Sequence, residues 1–181
     1  MDTATKNLEN DHEYILRLIA VMEIMVLTVS TDLKHIEMVV NLIKNYADGY
    51  HHAKEENLLF PLMVEKGFSL EQGPVSVMLH DHEQGRKYVK GMTDEIANFK
   101  GGDISALTEL YEHMQGYIDL LRAHIGKENN VLFRMADKAL TPEEQQKLLK
   151  RFKTIEEQDY TNGRLSRFIT DIEGLEAIYR G

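Results

Sequence analysis

The strongest constraint on this chain is a motif that it carries twice. His51-His52-Ala53-Lys54-Glu55-Glu56-Asn57-Leu58-Leu59-Phe60 is echoed by His124-Ile125-Gly126-Lys127-Glu128-Asn129-Asn130-Val131-Leu132-Phe133. The two stretches share His, Lys-Glu, Asn and Leu-Phe at the same offsets, 73 residues apart. On a helix, residues four apart lie on one face. His51 with Glu55, and His124 with Glu128, therefore each offer an imidazole nitrogen and a carboxylate oxygen in one direction. Two such pairs on facing helices describe a metal site with mixed nitrogen and oxygen ligands. His52 corresponds to Ile125 and Glu56 to Asn129, so only the His51–Glu55 pair is repeated. His52 and Glu56 are then expected about 100° further round the helix, nearer its flank.

A shorter echo precedes each motif. Asn10-Asp11-His12-Glu13 returns as His80-Asp81-His82-Glu83. Each half of the chain thus supplies one lone His and one H-x-x-x-E, and a rough twofold axis would bring four imidazoles and two carboxylates together. Thiolate-free nitrogen and carboxylate ligation suits iron or manganese better than structural zinc. Carboxylates that bridge would hold two metals about 3.5–4 Å apart. Two octahedral ions have about twelve sites; these side chains fill about eight and an oxo or hydroxo bridge about two. Roughly two remain for water or a small ligand such as O₂, NO or peroxide.

The remainder of the chain reads as helix. Residues 5–30 form an amphipathic helix with His12 on its apolar face. Thr31-Asp32 caps a second helix over 33–65, in which Gly49 is mildly unfavourable and Pro61 predicts a kink. Gly73-Pro74 opens a third, ended at Lys100-Gly101-Gly102, and Asp103 caps a fourth that reaches about Lys138. Thr141-Pro142-Glu143-Glu144 is a capping box with Pro at the first helical position. The polar helix that it starts breaks near Asn162-Gly163 and packs outside the bundle. No segment alternates as a strand does. The expectation is an all-α protein: an up-down-up-down four-helix bundle over 1–140 with a C-terminal helical extension over 141–181.

Composition excludes several functions. The chain has no Cys, which removes disulfides, zinc-thiolate sites, iron–sulfur ligation and cysteine nucleophiles, and fits a reducing cytoplasm. Its net charge of −9 argues against nucleic acid. Asp2, Glu9 and Asp11 precede any apolar run, so no secretory signal is expected. The run from Leu18 to Val29 is too short for a bilayer and is broken by Glu23. A ferritin-like carboxylate oxidase needs two E-x-x-H motifs, and only Glu9-x-x-His12 fits. His82-Glu83 is followed by Gln84-Gly85-Arg86, so no zinc-protease motif is present.

Across about residues 5 to 138 the chain resembles the hemerythrin-like proteins, the HHE cation-binding group. Asp11-His12-Glu13, the run at 51–61, Asp81-His82-Glu83 and the run at 124–133 carry the resemblance. It implies a four-helix bundle around a non-haem, oxo- or hydroxo-bridged centre of two iron ions. By it, His12, His51, His82 and His124 are terminal ligands and Glu55 and Glu128 bridges. Oxygen-carrying hemerythrins use a fifth His one turn from the third-helix ligand; here the positions four either side of His82 are Met78 and Arg86. The set looks more like bacterial hemerythrin-like proteins linked to NO, oxidative stress and iron–sulfur cluster repair. The cluster-repair group has an extra N-terminal domain with a Cys motif, and this chain has neither.

Around the ligands, His52 is expected in the outer shell or at the rim, with a ligand role the alternative, and Glu56 as an alternative carboxylate. Asp48 would accept a hydrogen bond from a ligand imidazole. Arg86 would orient a carboxylate or draw an anion inward. A solvated or salt-bridged surface role is the alternative for both Asp48 and Arg86. Tyr117 would line the pocket or fill core. His35 and His113, without repeat partners, are expected on the surface, and His80 is expected to point away from the ligand face. The expected function is a cytoplasmic di-iron protein binding O₂, NO or peroxide as sensor, store or scavenger. The alternative is an enzyme of NO or peroxide detoxification, or an iron donor for cluster repair. A homodimer is compatible with the sequence.

Overall fold

A computed structural model describes residues 3–180. Six helices make up most of the described residues: α1 (Ala4–Leu27), α2 (33–65), α3 (Pro74–Lys100), α4 (106–139), α5 (Pro142–Asp159) and α6 (Arg164–Arg180). Thr3 caps α1 and Asp32 caps α2, its carboxylate accepting the His35 N–H. Gly67 and Gly73 take the positive φ that the turns beside α2 and α3 require. The break between α5 and α6 falls at Asn162 and Gly163, both at positive φ. Asp103 behaves differently from the expectation. Its carboxylate accepts from the Ser105 N–H and hydroxyl in a turn before α4, and the helix begins at Ala106.

Two apolar clusters fix the helix directions. One holds Leu8, Leu59, Met78 and Phe133; the other holds Ile19, Val39, Met92 and Met114. Along α1 the chain passes from the first to the second, along α2 it returns, and α3 and α4 repeat this. The four helices therefore run up, down, up, down. Between the clusters, all four cross one polar level: Asp11 and His12, His51 to Glu55, Asp81 and His82, and His124 to Glu128. The C-terminal helices add one layer to each cluster, α5 through Leu148 and Phe152 and α6 through Phe168, Ile172 and Leu175. Both lie along α1 and α2. Gln145 of α5 also accepts the Ala4 N–H, satisfying a donor that the start of α1 leaves unpaired.

Packing of α3 on α4 is close. A Cβ on Gly91 would stand 2.4 Å from the His113 ring and one on Gly116 2.4 Å from Tyr88. His113, expected on the surface, is half-buried as a knob in a glycine hole.

The helices α2 and α4 are not regular. Residues Ile43–His52, Glu55–Leu59 and Glu128–Leu132 are π-helical. The Phe60 N–H bonds the Glu55 carbonyl, and the Phe133 N–H bonds that of Glu128, five residues back in each case. Pro61 would disturb the turn before it, but its counterpart is Arg134, so proline is not the shared cause. What the two turns share is a fully buried Glu at the first position. The wider π turn lets more neighbouring residues face inward and is frequent at functional sites. Gly49 suits this backbone: a Cβ there would meet the Lys44 carbonyl at 3.1 Å. Among the described residues no helix is long and apolar enough to cross a membrane.

Candidate metal centre

The polar level gathers all six residues of the repeated set, each almost wholly buried. The imidazoles converge in pairs. His12 Nε2 lies 2.9 Å from His51 Nε2, and His82 Nε2 lies 3.1 Å from His124 Nε2. Two nitrogens at right angles on an ion about 2.1 Å away stand about 3.0 Å apart, so each pair has the spacing of neighbouring ligands on one metal. The donor atoms of His12, His51, Glu55 and Glu128 lie within 4.8 Å of one another. Those of His52, Glu55, His82 and His124 do the same.

The carboxylates test whether a cation fits. All four oxygens of Glu55 and Glu128 are buried without a hydrogen-bond partner. Imidazole nitrogens stand 3.2 Å from Glu128 and 3.5–3.6 Å from Glu55, without hydrogen-bond geometry to these oxygens. An unpaired buried carboxylate is costly unless it is neutralised or coordinates a metal. Burial, and then the neighbouring Glu128, push the Glu55 carboxyl well above its ordinary value. Burial, then His12, lowers the pKa of His51, which keeps its imidazole neutral and able to donate a lone pair. Burial works against charge on His124, but Glu128 and Asp81 hold its pKa at about 9. The arrangement suits cations placed between the imidazole pairs, and loading would release protons.

Each imidazole is held from behind. Asp11 Oδ2 lies 3.2 Å from His51 Nδ1, and Asp81 Oδ2 lies 3.3 Å from His124 Nδ1. Asn129 Oδ1 takes His12 Nδ1 and Glu56 Oε1 takes His82 Nδ1, each at 2.7 Å. Such contacts fix the ring and leave Nε2 facing inward. Lysines support the aspartates: Lys54 Nζ stands 2.5 Å from Asp11, and Lys127 pairs with Asp81. This outer ring follows the same twofold pattern as the ligands.

Several expectations change here. Asp48 does not back His51, because Asp11 occupies that role. Asp48 lies 3.4 Å from His52 Nδ1 and accepts from Arg86 Nε at 2.9 Å. Hydrogen bonds from His52 and Arg86 outweigh its burial and lower its pKa to about 2. Glu56 turns to His82 Nδ1 and Arg86, while Glu55 is the residue within reach of both imidazole pairs. His52, expected in the outer shell or at the rim, is 5% exposed and stacks on His82 with ring centroids 3.8 Å apart. Tyr117 is buried and lines a cavity of about 280 Å³ beside the site. His80 is exposed. Asp11, Asp81, Lys54, Lys127 and Asn129 were not singled out by sequence reasoning, although the echoed Asp-His and Lys-Glu pairs and the Asn129 opposite Glu56 were the signal.

Fold and site together define a helical bundle whose interior gathers side chains that could hold cations. The sequence matches the Hemerythrin HHE cation binding domain over residues 3–136, and the chain belongs to that family. It is 34% identical over 88 residues to the iron-sulfur cluster repair protein DnrN of Neisseria gonorrhoeae, covering 46% of this chain and 54% of that one. It is 36% identical over 90 residues to the iron-sulfur cluster repair protein YtfE of Dickeya chrysanthemi, covering 48% and 40%. A YtfE of Escherichia coli O1:K1 is 33% identical over 88 residues, with the same coverage. The match therefore spans about half or less of these curated relatives. No solved structure matches the chain.

Proposed function

We propose that the chain holds two iron ions, one served by His12 and His51 and the other by His82 and His124, with Glu55 and Glu128 bridging them. The observation that carries this reading is the pair of buried carboxylates without partners, set between two converging imidazole pairs. Ligands of nitrogen and oxygen without sulfur favour iron or manganese, and the family is one of cation-binding domains. Bound there, the irons would supply positions for a small molecule such as O₂, NO or peroxide. The chain's residues supply the rest: the outer ring orients the imidazoles, and the apolar clusters keep bulk water from the polar level. The function proposed is that of a soluble sensor, store or scavenger of such a ligand.

A second reading is favoured by the relatives, whose names describe iron–sulfur cluster repair. In that reading the same site stores iron and passes it to a damaged cluster.

One set of measurements separates the two. Metal content per chain is measured first, with optical spectra before and after reduction and exposure to O₂, NO and peroxide. About two irons and a reversible spectral change without turnover are expected for the first reading. Consumption of NO or peroxide would replace it with an enzyme, and loss of iron to an apo iron–sulfur protein would favour repair. A single zinc, or no metal after expression with ample iron, would overturn both.

A further inference from the structure

The cavity beside the candidate metal centre is larger than any diatomic ligand requires. We infer that it is a binding site for a small organic carboxylate with an apolar body, held between α2, α3 and α4. Such a site belongs to the cavity walls, so it stands or falls apart from the two-metal reading.

Size and wall chemistry suit an organic molecule. The volume of about 280 Å³ is roughly nine times the ~30 Å³ of one water, and close to the ~300 Å³ at which small-molecule sites begin. Ile43 of α2, Val89 of α3 and Leu121 of α4 line it, together with the buried Tyr117 and His52. Walls of this kind offer water few partners, so an apolar body that enters gains the transfer free energy of its methylenes. A carbon with its hydrogens takes about the room of a water, which leaves space for a body of about six to eight carbons.

A glycine keeps this space open. Gly91 and Gly116 are explained by close packing, since a Cβ on either would run into a neighbouring ring. Gly85 is different. A Cβ there would meet Tyr117 at 3.6 Å and Leu120 at 3.9 Å, which is ordinary contact. Packing therefore does not call for glycine at this buried position inside α3, where it is unfavourable relative to Ala. Gly85, Tyr117 and Leu120 all line the cavity, and a longer side chain at Gly85 would take up part of it.

The exposed part of the lining sets the charge of the ligand. Its carboxylates already face cations: Asp48 faces Arg86, Asp81 faces Lys127 and Asp94 faces Lys90. Among the described residues Lys44, exposed at the rim, forms no ion pair. The Lys90–Asp94 pair is more than half exposed on both sides, so water screens it and an entering anion can compete for Lys90. One carboxylate at the rim would meet Lys44 and Lys90, while its apolar body lies inside with Tyr117 and His52.

The test titrates the full chain with octanoate, octylammonium and acetate by calorimetry, with iron content measured on the same sample. Octanoate should bind once per chain. Acetate, which lacks the body, should bind at least about tenfold more weakly, and octylammonium, of opposite charge, more weakly than octanoate. Gly85→Leu fills the cavity and should weaken octanoate at least about tenfold while iron content holds. Lys44→Met should weaken it about threefold and narrow the preference over octylammonium. Gly85→Ala is the milder variant should Leu fold poorly. It should unfold at a temperature no lower than the unsubstituted chain and still bind octanoate less tightly. No octanoate binding by the unsubstituted chain, or binding unchanged in the folded Gly85 variants, would overturn the inference whatever the iron content. Octanoate binding that responds to Gly85 in a chain without iron would overturn the two-metal reading alone.

Discussion

The two halves of the bundle share their ligands and the pattern of their supports, and differ in what covers them. In the first half, α5 and α6 lie over α1 and α2, and Lys54 is 0% exposed. It sits between Asp11 and Asn7, over the rings of Tyr50 and Phe152. In the second half its counterpart Lys127 pairs with Asp81 while 42% of its side chain meets solvent. The first half backs its partner's His82 with a charged Glu56; the second backs His12 with a neutral Asn129. A long π stretch brings His52 inward in the first half, where the second has Ile125. The cavity opens beside His82 and His124. A repeated motif therefore does not make two equivalent positions. One lies under the C-terminal helices and the other beside this cavity.

The largest effect should fall on what the halves have in common. Glu55→Ala and Glu128→Ala should each remove most bound iron, since both carboxylates stand between the imidazole pairs. If iron is about a thousandfold above its dissociation constant, its binding stabilises the fold by about 4 kcal/mol, and that share is lost. In the metal-free protein the direction should reverse. A carboxyl held protonated or charged in an empty interior is unfavourable, so removing one should leave the metal-free melting temperature unchanged or raised. Thermal unfolding with and without iron measures both. Retention of two irons by either variant would break the equivalence at the centre.

A smaller effect should separate the halves. Lys54→Met leaves Asp11 buried without its cation, a loss of roughly 3–5 kcal/mol by analogy with broken buried pairs. Lys127→Met removes a cation whose side chain is 42% exposed, so water already screens its pair with the buried Asp81. The loss should be nearer that of exposed pairs, about 1 kcal/mol. Denaturant melts of the two variants should differ accordingly. Equal losses would show that the cover of α5 and α6 does not set the environment of Lys54.

Exchange of the outer groups sharpens the comparison further. Glu56→Gln would give His82 a neutral partner like that of His12. Outer contacts of this kind change metal affinity by about 10–100-fold. The step assigned to His82 and His124 should weaken within that range, and the other should hold. Chelator competition, read as two steps, checks it.

These differences also show how much the sequence could tell. His51, Glu55, His124 and Glu128 were legible because helical spacing and repetition act on local sequence. The helix directions followed from short links and the periodic apolar faces. The break at Asn162-Gly163 and the cap at Thr141 were legible because turn chemistry is local too. The role of Asp11 behind His51 was not, because it depends on how two helices face each other, and Asp48 was the nearer residue in the chain. His52, read as an outer neighbour of the ligands or at the rim, lies deeper than its place on the helix suggested. An α-helical wheel puts it on the flank, and nothing in residues 43–52 announced a π-helical backbone except an unexplained Gly49.

The smallest effect concerns the cover itself. The α5 helix starts at a capping box in which the Glu144 N–H donates to Thr141 Oγ1 and the Thr141 N–H donates to the Glu144 carboxylate. Lys66, at 2.6 Å, adds an ion pair to Glu144. Lys66 first, and then the Thr141 N–H, lower the Glu144 pKa below its ordinary value. A carboxyl with a depressed folded-state pKa stabilises the fold fully above the unfolded value, about 4.3. That contribution is lost as pH falls through the lower folded value. Thr141→Ala should remove about 1 kcal/mol, and Glu144→Gln should remove the pH-dependent part alone. Hydrogen exchange reads the effect locally. Amides of α5, and the Lys54 side of α2 beneath it, should exchange faster in Thr141→Ala while those of α3 and α4 hold their rates. Faster exchange spread evenly over all four bundle helices would mean that α5 is part of one cooperative unit, and that the position under it and the position beside the cavity differ in shape without differing in local stability.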